Sequence, residues 1–449
     1  MMKKEELLAQ NATRNREIRR VADTGEWLPP ARRLHGGLFV LMLIMTCFGL
    51  IMLFSASMSD SFSQSGDAMA VVVKQAGITS IGLILAIIIA SAIPLKIFDH
   101  FWMTVALYLL TTGLLVLVKF KGININGAVR WLQVPVFGSF QPSELAKLAI
   151  VFCFAGYSSM LRRRRAKGRL RSRTPLRQFL ADGWIEVLLP ALAFFVWLGL
   201  ILWQPHLSGF LIMGFIMLVI FLAAGIRGRV WASAISQALV ILLIVGVLFV
   251  AALPMLKAAG FEEMINENFE HVEDRLDTFL NPEDASQDDT YQIDQSVLAI
   301  GSGGLDGLGL GAGRQKYNYL PEPFNDFIFA VIGEELGFIG TVTVVLLFLI
   351  FMLIGASITL KAAGPFPAIL AGGYTMLISI QAFLNIAVTT QTVPATGISL
   401  PLFSYGGTAN LFFLIAIGFI LSVSKNGQRN SRELVSSPAT LQHRPEAHP

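Results

Sequence analysis

Long apolar runs separated by short polar segments dominate the chain. A helix needs about 20 apolar residues to cross the ~30 Å hydrocarbon core of a bilayer, and ten runs approach or exceed that length. They predict transmembrane helices near 37–57, 76–95, 100–119, 143–161, 185–203, 207–225, 229–253, 325–357, 365–388 and 402–424. The pattern therefore predicts an all-α integral membrane protein of about ten spans. The eighth run is longer than one crossing needs and contains Glu334 and Glu335, so we expect it to tilt or to begin outside the membrane core.

Lysine and arginine residues indicate the orientation, because the cytoplasmic loops of membrane proteins are enriched in both. With the N-terminus inside, the inner segments hold 25 of the 34 basic residues. We therefore predict a cytoplasmic tail over 1–36, a membrane domain over 37–424 and a disordered cytoplasmic tail over 425–449. The basic run 162–169 fits a loop that faces anionic lipid better than it fits a nucleic-acid patch.

Composition agrees with a membrane location. The chain of 449 residues is 54% hydrophobic and 14% charged, whereas an average soluble domain carries roughly 25% charged residues. This excludes an ordinary cytosolic enzyme, a disordered protein and a disulfide-built secreted domain. The two cysteines, Cys47 and Cys153, fall inside apolar runs, so we expect small core residues rather than metal ligands or a disulfide.

Residues 254–324 form the only long outer segment of the predicted topology, and this segment is acidic. Apolar residues recur at helical spacing from Phe261 to Phe279, while acidic residues occupy the opposite face. This pattern predicts an amphipathic helix at the outer membrane surface or against the mouth of the bundle.

Polar residues at membrane depth are costly, and they are therefore candidates for function. In the first cluster, Ser143 is predicted to cap the fourth span, and Glu144 and Lys147 lie on one helical face. A structural ion pair explains those two residues as well as a functional site does. The neighbouring Arg130 and Trp131 favour a site, because arginine binds phosphate in bidentate fashion and tryptophan suits a lipid–headgroup boundary.

Three more polar clusters lie at the predicted outer ends of spans. His206 lies in the turn between the fifth and sixth spans, where a capping or packed histidine is commoner than a catalytic one. The glycines of 301–311 suggest a nucleotide loop, but no Lys-Ser/Thr follows and no ATP pool exists outside, so we expect a loop packed closely against the membrane surface. Asp326 stands where an outer loop enters an apolar helix, and partial burial there would raise its pKa toward that of a usable general base.

The last cluster contains Gln381, Asn385 and the segment 394–408, which is rich in glycine and proline. Such a segment between the ninth and tenth spans indicates re-entrant backbone, which membranes tolerate only where it lines a cavity. Plain packing of helices through small residues explains the same pattern equally well.

The order and spacing of these motifs resemble the SEDS family (shape, elongation, division and sporulation), the FtsW, RodA and SpoVE proteins of bacteria. The matching motifs are Asn126-Gly-Ala-x-Arg-Trp, Gln141-Pro-Ser-Glu-x-x-Lys, Gln204-Pro, Ile300-Gly-Ser-Gly-Gly-Leu, Leu320-Pro-Glu, Asp326-Phe-Ile-Phe with Glu334-Glu335-Leu-Gly, and Ser404-Tyr-Gly-Gly. The resemblance covers 37–424, and the segment 394–401 is closer to the division and sporulation branch than to the elongation branch.

This resemblance implies a peptidoglycan glycosyltransferase that polymerises lipid II at the outer face of the bacterial cytoplasmic membrane. Asp326 matches the essential acid of the family and is expected to act as the catalytic base, with Arg130 and Lys147 as cations for the departing pyrophosphate. The residues expected to contact substrate are Arg130, Trp131, Glu144, Lys147, Gln292, Lys316, Glu322 and Ser404. No metal-binding residue is predicted.

Two departures from the family pattern bear on the site. The family usually has His-Thr before the catalytic acid, whereas this chain has Phe324 and Asn325. It usually has Asp after Gln-Pro, whereas this chain has His206. The first departure concerns how the acid is oriented, and the second replaces an anion with a group that can become cationic.

The resemblance also implies partners. They are lipid II, a class B penicillin-binding protein that supplies the transpeptidase, other division proteins and membrane lipids, with no nucleic acid. No cofactor is expected, although a divalent cation, Mg²⁺ or Mn²⁺, at the pyrophosphate is compatible with the chemistry. The division branch implies work at the septum. A lipid II flippase, an elongation-type polymerase and an inactive scaffold are the alternatives.

Overall fold

The computed structural model describes residues 34–425, except for 126–127, 135–137, 171, 205–206, 259–286, 318 and 395–396. Most of both predicted tails, the predicted amphipathic helix at 261–279 and His206 lie outside these described residues.

Thirteen α-helices are present in the described part of the chain. They are α1 Gly36–Ser65, α2 Ala70–Ser91, α3 Leu95–Phe98, α4 Phe101–Lys121, α5 Pro142–Ala166, α6 Pro175–Gly183, α7 Leu189–Leu202, α8 Leu207–Ala223, α9 Gly228–Ala258, α10 Gln287–Ser302, α11 Ile328–Leu360, α12 Pro365–Thr389 and α13 Thr408–Lys425. A π-helical turn, Trp184–Leu188, joins α6 and α7 into one span.

Nine helices in the described residues are long and apolar enough to cross a membrane, so the multi-pass membrane fold is confirmed. The sixth predicted span corresponds to α8, whose apolar stretch Ser208–Ala223 is shorter than the other nine. Helices α5, α12 and α13 form the centre of the bundle, since 72% of each apolar window is buried, against 17% for α9.

Local chemistry explains where the central helices begin. The ring of His35 accepts a hydrogen bond from the Leu38 N–H (3.1 Å) at the start of α1. At α5, Pro142 occupies the first turn and the cap is Gln141, without a side-chain hydrogen bond. The predicted Ser143 cap is therefore wrong, because proline moves the start of the helix upstream. The Ser143 hydroxyl is buried with no hydrogen-bond partner in the described residues.

Three short antiparallel strands between α4 and α5 were not predicted from the sequence. They are β1 Ile123–Ile125, β2 Ala128–Val134 and β3 Gly138–Phe140, in the order β1-β2-β3. Asn124 pairs with Val129, and Leu132 pairs with Phe140. The strand β2 packs against both α4 and α5, so this small sheet lies at the end of the bundle where the first polar cluster was predicted. The prediction of an all-α protein holds for the bundle.

A break in α11 explains the glycine-rich loop that follows α10. Gly337 has φ 62° and ψ −159° and interrupts the helix, a break that the sequence did not predict. Residues 304–309 lie along the break and replace its lost helical hydrogen bonds. The bonds run from Phe338 N to Gly304 O (2.9 Å), Ile339 N to Leu305 O (3.2 Å), Leu308 N to Glu334 O (3.0 Å) and Gly309 N to Glu335 O (3.0 Å).

Only glycine fits where the loop after α10 crosses the break in α11. A Cβ at Gly303 would lie 2.0 Å from the Gly333 carbonyl oxygen, and a Cβ at Gly337 would lie 2.4 Å from the Gly307 nitrogen. The close-packed reading of the glycines is confirmed, with the broken helix rather than the membrane surface as the partner.

The segment before α13 enters the bundle as non-helical backbone. Residues 400–404 are buried, and a Cβ at Gly49, in the middle of α1, would lie 2.1 Å from the Leu402 carbonyl oxygen. The Phe403 ring contacts Phe48 (5.4 Å) and Phe348 (6.0 Å between centroids). The re-entrant prediction is thus confirmed, and the last span begins at Thr408 rather than at 402.

The cysteine prediction is right for one residue and wrong for the other. Cys153 is buried, whereas Cys47 is exposed on α1, and both are free thiols. The lipid-facing side of a membrane helix is as apolar as its core-facing side, so an apolar run does not tell which side a residue occupies.

Candidate active site

Asp326 lies in the turn that leads into α11. Its side chain is partly buried, and the following residues Phe327 and Ile328 are fully inside the core. Burial and, secondarily, the charge of Glu322 raise the pKa of Asp326 from its usual value to about 6. The carboxylate is ionised at neutral pH and is a stronger base than an exposed aspartate, which suits proton abstraction.

The two residues before Asp326 hold its turn in place. The Phe324 ring contacts Tyr405 edge to face (6.0 Å), and its carbonyl accepts the Tyr405 N–H (2.8 Å). The Asn325 amide donates to the Glu322 carboxylate, and Glu322 adopts a left-handed φ of 52°. The first departure from the family pattern therefore contributes an aromatic contact to the re-entrant segment and a hydrogen bond to the neighbouring acid.

Glu144 and Lys147 form the predicted ion pair near the start of α5. Their charged atoms are 2.8 Å apart, with 12% and 5% of the two side chains exposed. The Lys147 ammonium also donates to Oε1 of Gln381 on α12 (2.9 Å) and lies 6.0 Å from the centre of the Phe413 ring. Lys147 is thus a buried cation that three helices hold.

Two amide side chains of α12 connect Lys147 with the Asp326 turn. Gln381 binds Lys147 and donates weakly to the Ser399 carbonyl (3.4 Å). One helical turn later, Asn385 donates to the carbonyls of Asp326 (2.7 Å) and Ile398 (2.6 Å). The candidate base and the candidate cation are therefore held by the same face of α12.

The re-entrant backbone completes this arrangement. A Cβ at Gly397, which has φ +61°, would lie 3.4 Å from the Asp326 carboxylate, so the acid is adjacent to this backbone. The Asn385 Oδ1 is buried with no hydrogen-bond partner in the described residues. An acceptor without a donor remains beside the base.

Arg130 and Trp131 are partly buried neighbours in β2. The pairing with β1 is irregular here, since Asn124 pairs with Val129 and Ile123 pairs with Trp131, which leaves Arg130 as the extra residue of a bulge. A bulge disrupts the regular ladder of a strand and can re-aim a side chain, so the strand pattern does not separate these two residues. The sheet lies next to the re-entrant segment, since a Cβ at Gly407 would be 3.8 Å from the Ser139 carbonyl oxygen and Phe140 contacts Phe412 (6.0 Å). Their substrate contacts stay predictions.

Three other residues predicted to contact substrate have no contact with Lys147 or Asp326 among the described hydrogen bonds and ion pairs. Lys316 is fully buried and donates to Glu335 (2.7 Å) and the Gly311 carbonyl (2.8 Å). The Ser404 hydroxyl is also fully buried, where it accepts the Leu400 N–H (2.7 Å). These contacts are structural and do not favour substrate binding. Gln292 is partly buried on α10, and its role stays a prediction.

Gln381 and Asn385 belong to a polar cluster of the sequence, but the sequence assigned neither residue a role in the site. The signal was present, because two amides four residues apart in a membrane-spanning run lie on one helical face. What the sequence could not supply is the partner of each amide, because Lys147 is 234 positions away from Gln381.

Two acids of the site, Glu144 and Glu322, already have protein partners. Among the described residues, no group of three or more histidine, cysteine, aspartate or glutamate side chains is placed to hold a metal ion. Glu144 is paired with Lys147, and Glu322 accepts from Asn325.

Comparison with known proteins places the chain in a family. Residues 36–429 match the model of the FtsW/RodA/SpoVE family, described as cell cycle proteins. The chain is 34% identical over 389 residues to a "Probable peptidoglycan glycosyltransferase FtsW" of Geobacter metallireducens, covering 86% of this chain and 93% of that protein. A protein of the same description from Mycobacterium tuberculosis is 35% identical over 407 residues, covering 90% of this chain and 70% of that one.

Solved structures agree on the fold. A chain from a structure described as "Structural coordination of polymerization and crosslinking by a peptidoglycan synthase complex" superposes with a TM-score of 0.61 at 25% identity, covering 89% of this chain and 100% of that one. The RodA protein of Thermus thermophilus superposes with a TM-score of 0.56 at 23% identity, covering 89% and 99%. The protein is therefore a member of the FtsW/RodA/SpoVE family of cell cycle proteins.

Proposed function

We propose that this protein is a peptidoglycan glycosyltransferase that polymerises lipid II, with Asp326 as the general base. The observation that carries the proposal is the partly buried Asp326 carboxylate, whose pKa is raised to about 6 and whose turn is held by the helix that also holds Lys147. Relatives described as peptidoglycan glycosyltransferases support the reaction class.

The reaction joins two amphiphilic substrates. The hydroxyl oxygen of the acceptor sugar forms a bond with the anomeric carbon of the donor, and the bond from that carbon to the pyrophosphate oxygen breaks. Asp326 accepts the hydroxyl proton as the new bond forms, and the polyprenyl pyrophosphate leaves as an anion. General-base catalysis of this kind contributes typically 10²–10⁴-fold to the rate.

Lys147 provides positive charge for the leaving group. Its ammonium is already held by Glu144 and Gln381, so little reorganisation is needed when negative charge develops on the pyrophosphate. Arg130, on the adjacent β2, supplies a second cation in this proposal.

The membrane-spanning bundle suits a substrate of this kind. Lipid II has a polar disaccharide-pentapeptide and a long polyprenyl tail, so the head can reach the Asp326 turn while the tail stays among the helices. We further propose that the chain acts at the division septum beside a class B penicillin-binding protein. The similar chain from a complex of polymerisation and crosslinking supports such a partner, and imaging a tagged copy at midcell or along the side wall tests the location.

Purified protein supplied with labelled lipid II, and with no second polymerase present, tests the activity. Wild type should form glycan strands, and Asp326→Asn should still bind lipid II but polymerise at least ~100-fold more slowly. Asp306→Asn is the matched control, because Asp306 is an exposed acid of the same outer region. Normal polymerisation by Asp326→Asn would reject the base. Movement of lipid II across vesicles without polymerisation would favour the flippase.

A further inference from the structure

Two adjoining cavities lie at the opposite end of the bundle from Asp326. The first, the apolar cavity, has a volume of about 510 Å³ and lies between the end of α8, the last turns of α11 and the first half of α12. The second, the arginine chamber, has a volume of about 360 Å³ and lies between the end of α5, Glu186 and the turn 224–227. Arg162, Ala224 and Gly225 line both cavities.

Small side chains create the apolar cavity. Ala356 on α11 and Ala368 on α12 contribute to its wall. Gly372 and Gly373 also line it, and a Cβ at these positions would lie 3.0 Å from Thr359 and 2.3 Å from Val151, so the two glycines allow close packing of the surrounding helices. At its rim, Leu360 is 84% exposed. Apart from Arg162, Thr359 and Thr375, the residues that line this cavity are apolar or glycine, which suits an acyl chain.

The arginine chamber carries positive charge. Arg162 donates from Nη2 to the Ala224 carbonyl (2.8 Å), which fixes its guanidinium at the junction of the two cavities. Arg165 is held by Asp182 (2.7 Å) and by Glu186, so its charge is balanced within the protein. Arg162 and the exposed Arg227 supply the positive charge of this chamber.

The distribution of charge indicates which side of the membrane this end of the bundle faces. Arg162 and Arg165 belong to the basic run 162–169, and Arg227 lies in another inner turn of the predicted topology. Such basic segments face the cytoplasm and attract anionic lipids. A ligand that fits both cavities therefore has an apolar chain, an anionic phosphate headgroup and a source in the cytoplasmic leaflet.

We propose that the apolar cavity and the arginine chamber form one binding site for an anionic phospholipid of the cytoplasmic leaflet. An acyl chain occupies the gap between α8, α11 and α12, and the headgroup phosphate contacts Arg162 and Arg227. Arginine suits this contact because its planar fork binds phosphate oxygens in bidentate fashion. The volume of the apolar cavity falls within the ~300–1,000 Å³ of small-molecule sites.

The bound lipid would support the helix that organises the outer site. The first half of α12 lines the apolar cavity, and its second half carries Gln381 and Asn385. The lipid site does not depend on the reaction at the outer face, so the two proposals fail separately.

Lipid retention measured by native mass spectrometry tests the site. The full chain is mixed with phosphatidylglycerol or phosphatidylcholine of the same acyl chains. Wild type should retain phosphatidylglycerol in preference. Arg162→Gln, which removes the headgroup contact, and Ala356→Phe, which fills the cavity, should each weaken retention by about tenfold. The matched controls are Arg177→Gln, at an exposed arginine of the same end, and Leu353→Phe, at a position of α11 that is 65% exposed.

Each other outcome overturns the proposal. Equal retention of the two lipids, or unchanged retention by Arg162→Gln, would show that the arginines do not recognise the headgroup. Retention of a polyprenyl phosphate but not phosphatidylglycerol would show that the occupant is wrong. The thermal unfolding temperature gives a second measurement. If inorganic phosphate alone raised it as much as phosphatidylglycerol does, no acyl chain would take part in binding. Arg162→Gln tests the site even if Ala356→Phe does not fold.

Discussion

Two groups of polar and charged residues lie around the same outer loop, and they differ in how completely their charges are paired with counter-ions. The loop anchor consists of Ser55, Lys316, Glu334 and Glu335. Lys316 and Glu335 are 2.7 Å apart with no exposed side-chain surface, and Ser55 donates to the same carboxylate (2.6 Å). Glu334 accepts the backbone N–H groups of Arg314 (2.7 Å) and Gln315 (3.2 Å). The other group, Asp326 with Glu322, is partly exposed. Among the residues that the structure describes, no cation forms an ion pair with Asp326.

The two groups have different roles: the loop anchor stabilises the loop, and Asp326 is available for the reaction. Lys316 lies ten residues before Asp326 and Glu335 lies nine residues after it, so the loop anchor closes the base of the loop that carries the acid. The Lys316–Glu335 pair has no exposed side-chain surface and holds a conformation, whereas the partly exposed Asp326 carboxylate stays available to a substrate. The position of Asp326 thus depends on a second set of charges that does not take part in the reaction.

Removing the cation of the loop anchor should have the largest effect. Lys316→Met leaves the Glu335 charge buried without its counter-ion, which typically costs about 3–5 kcal/mol. We expect a large fall in the thermal unfolding temperature in detergent. Lys74→Met, at an exposed lysine, should leave it unchanged. The double variant Lys316→Met, Glu335→Met should recover part of the loss, and a single variant as stable as wild type would contradict the anchor.

Removing the cation of the outer site should reduce the rate and leave the loop anchor intact. Lys147→Met should lower polymerisation by roughly 10²-fold, the usual loss when one positioned donor to a developing anion is removed. Arg at this position keeps the charge with a different geometry and should retain part of the activity. The unfolding temperature and lipid II turnover of both variants are the measurements. Normal turnover by Lys147→Met would make this lysine structural.

Loosening the link between α12 and the acid should have the smallest effect. Asn385→Ala removes the hydrogen bonds to the Asp326 and Ile398 carbonyls, and we expect a rate about tenfold lower, because small misplacements of a catalytic group slow the reaction. Thr390→Ala, one turn later at an exposed position, is the control. Since Asn385 acts through the position of the base, turnover at saturating lipid II should fall more than apparent affinity, and the opposite result would assign it to binding.

The bundle and the acid could be predicted from the sequence because both depend on local signals. Runs of about 20 apolar residues are sufficient to locate spans, and Asp326 stands out as an acid at the start of one. The strands at 123–140 were missed because each is short and the segment lies between two stronger helical signals. The predicted Ser143 cap was wrong because Pro142 starts the helix one residue earlier.

Other parts of the site depend on contacts that no local pattern encodes. Lys316 looked like a substrate cation, but it pairs with a glutamate across a helix break at Gly337. Gln381 and Asn385 were visible as polar residues, but their partners lie on other helices. Tertiary packing decides which buried polar groups pair with each other, so the sequence identified the candidates without their pairing.

The pH dependence of single-turnover polymerisation tests the central claim most directly. A general base acts only when deprotonated, so the wild-type rate should fall as the pH drops through about 6, the raised pKa of Asp326. The charge of Glu322 contributes to that rise, so Glu322→Gln should move the fall to lower pH while activity above pH 7 persists. A fall that stays at the same pH in Glu322→Gln would assign the raised pKa of Asp326 to burial alone. A wild-type rate that does not change between pH 5 and 7 would contradict Asp326 as the base.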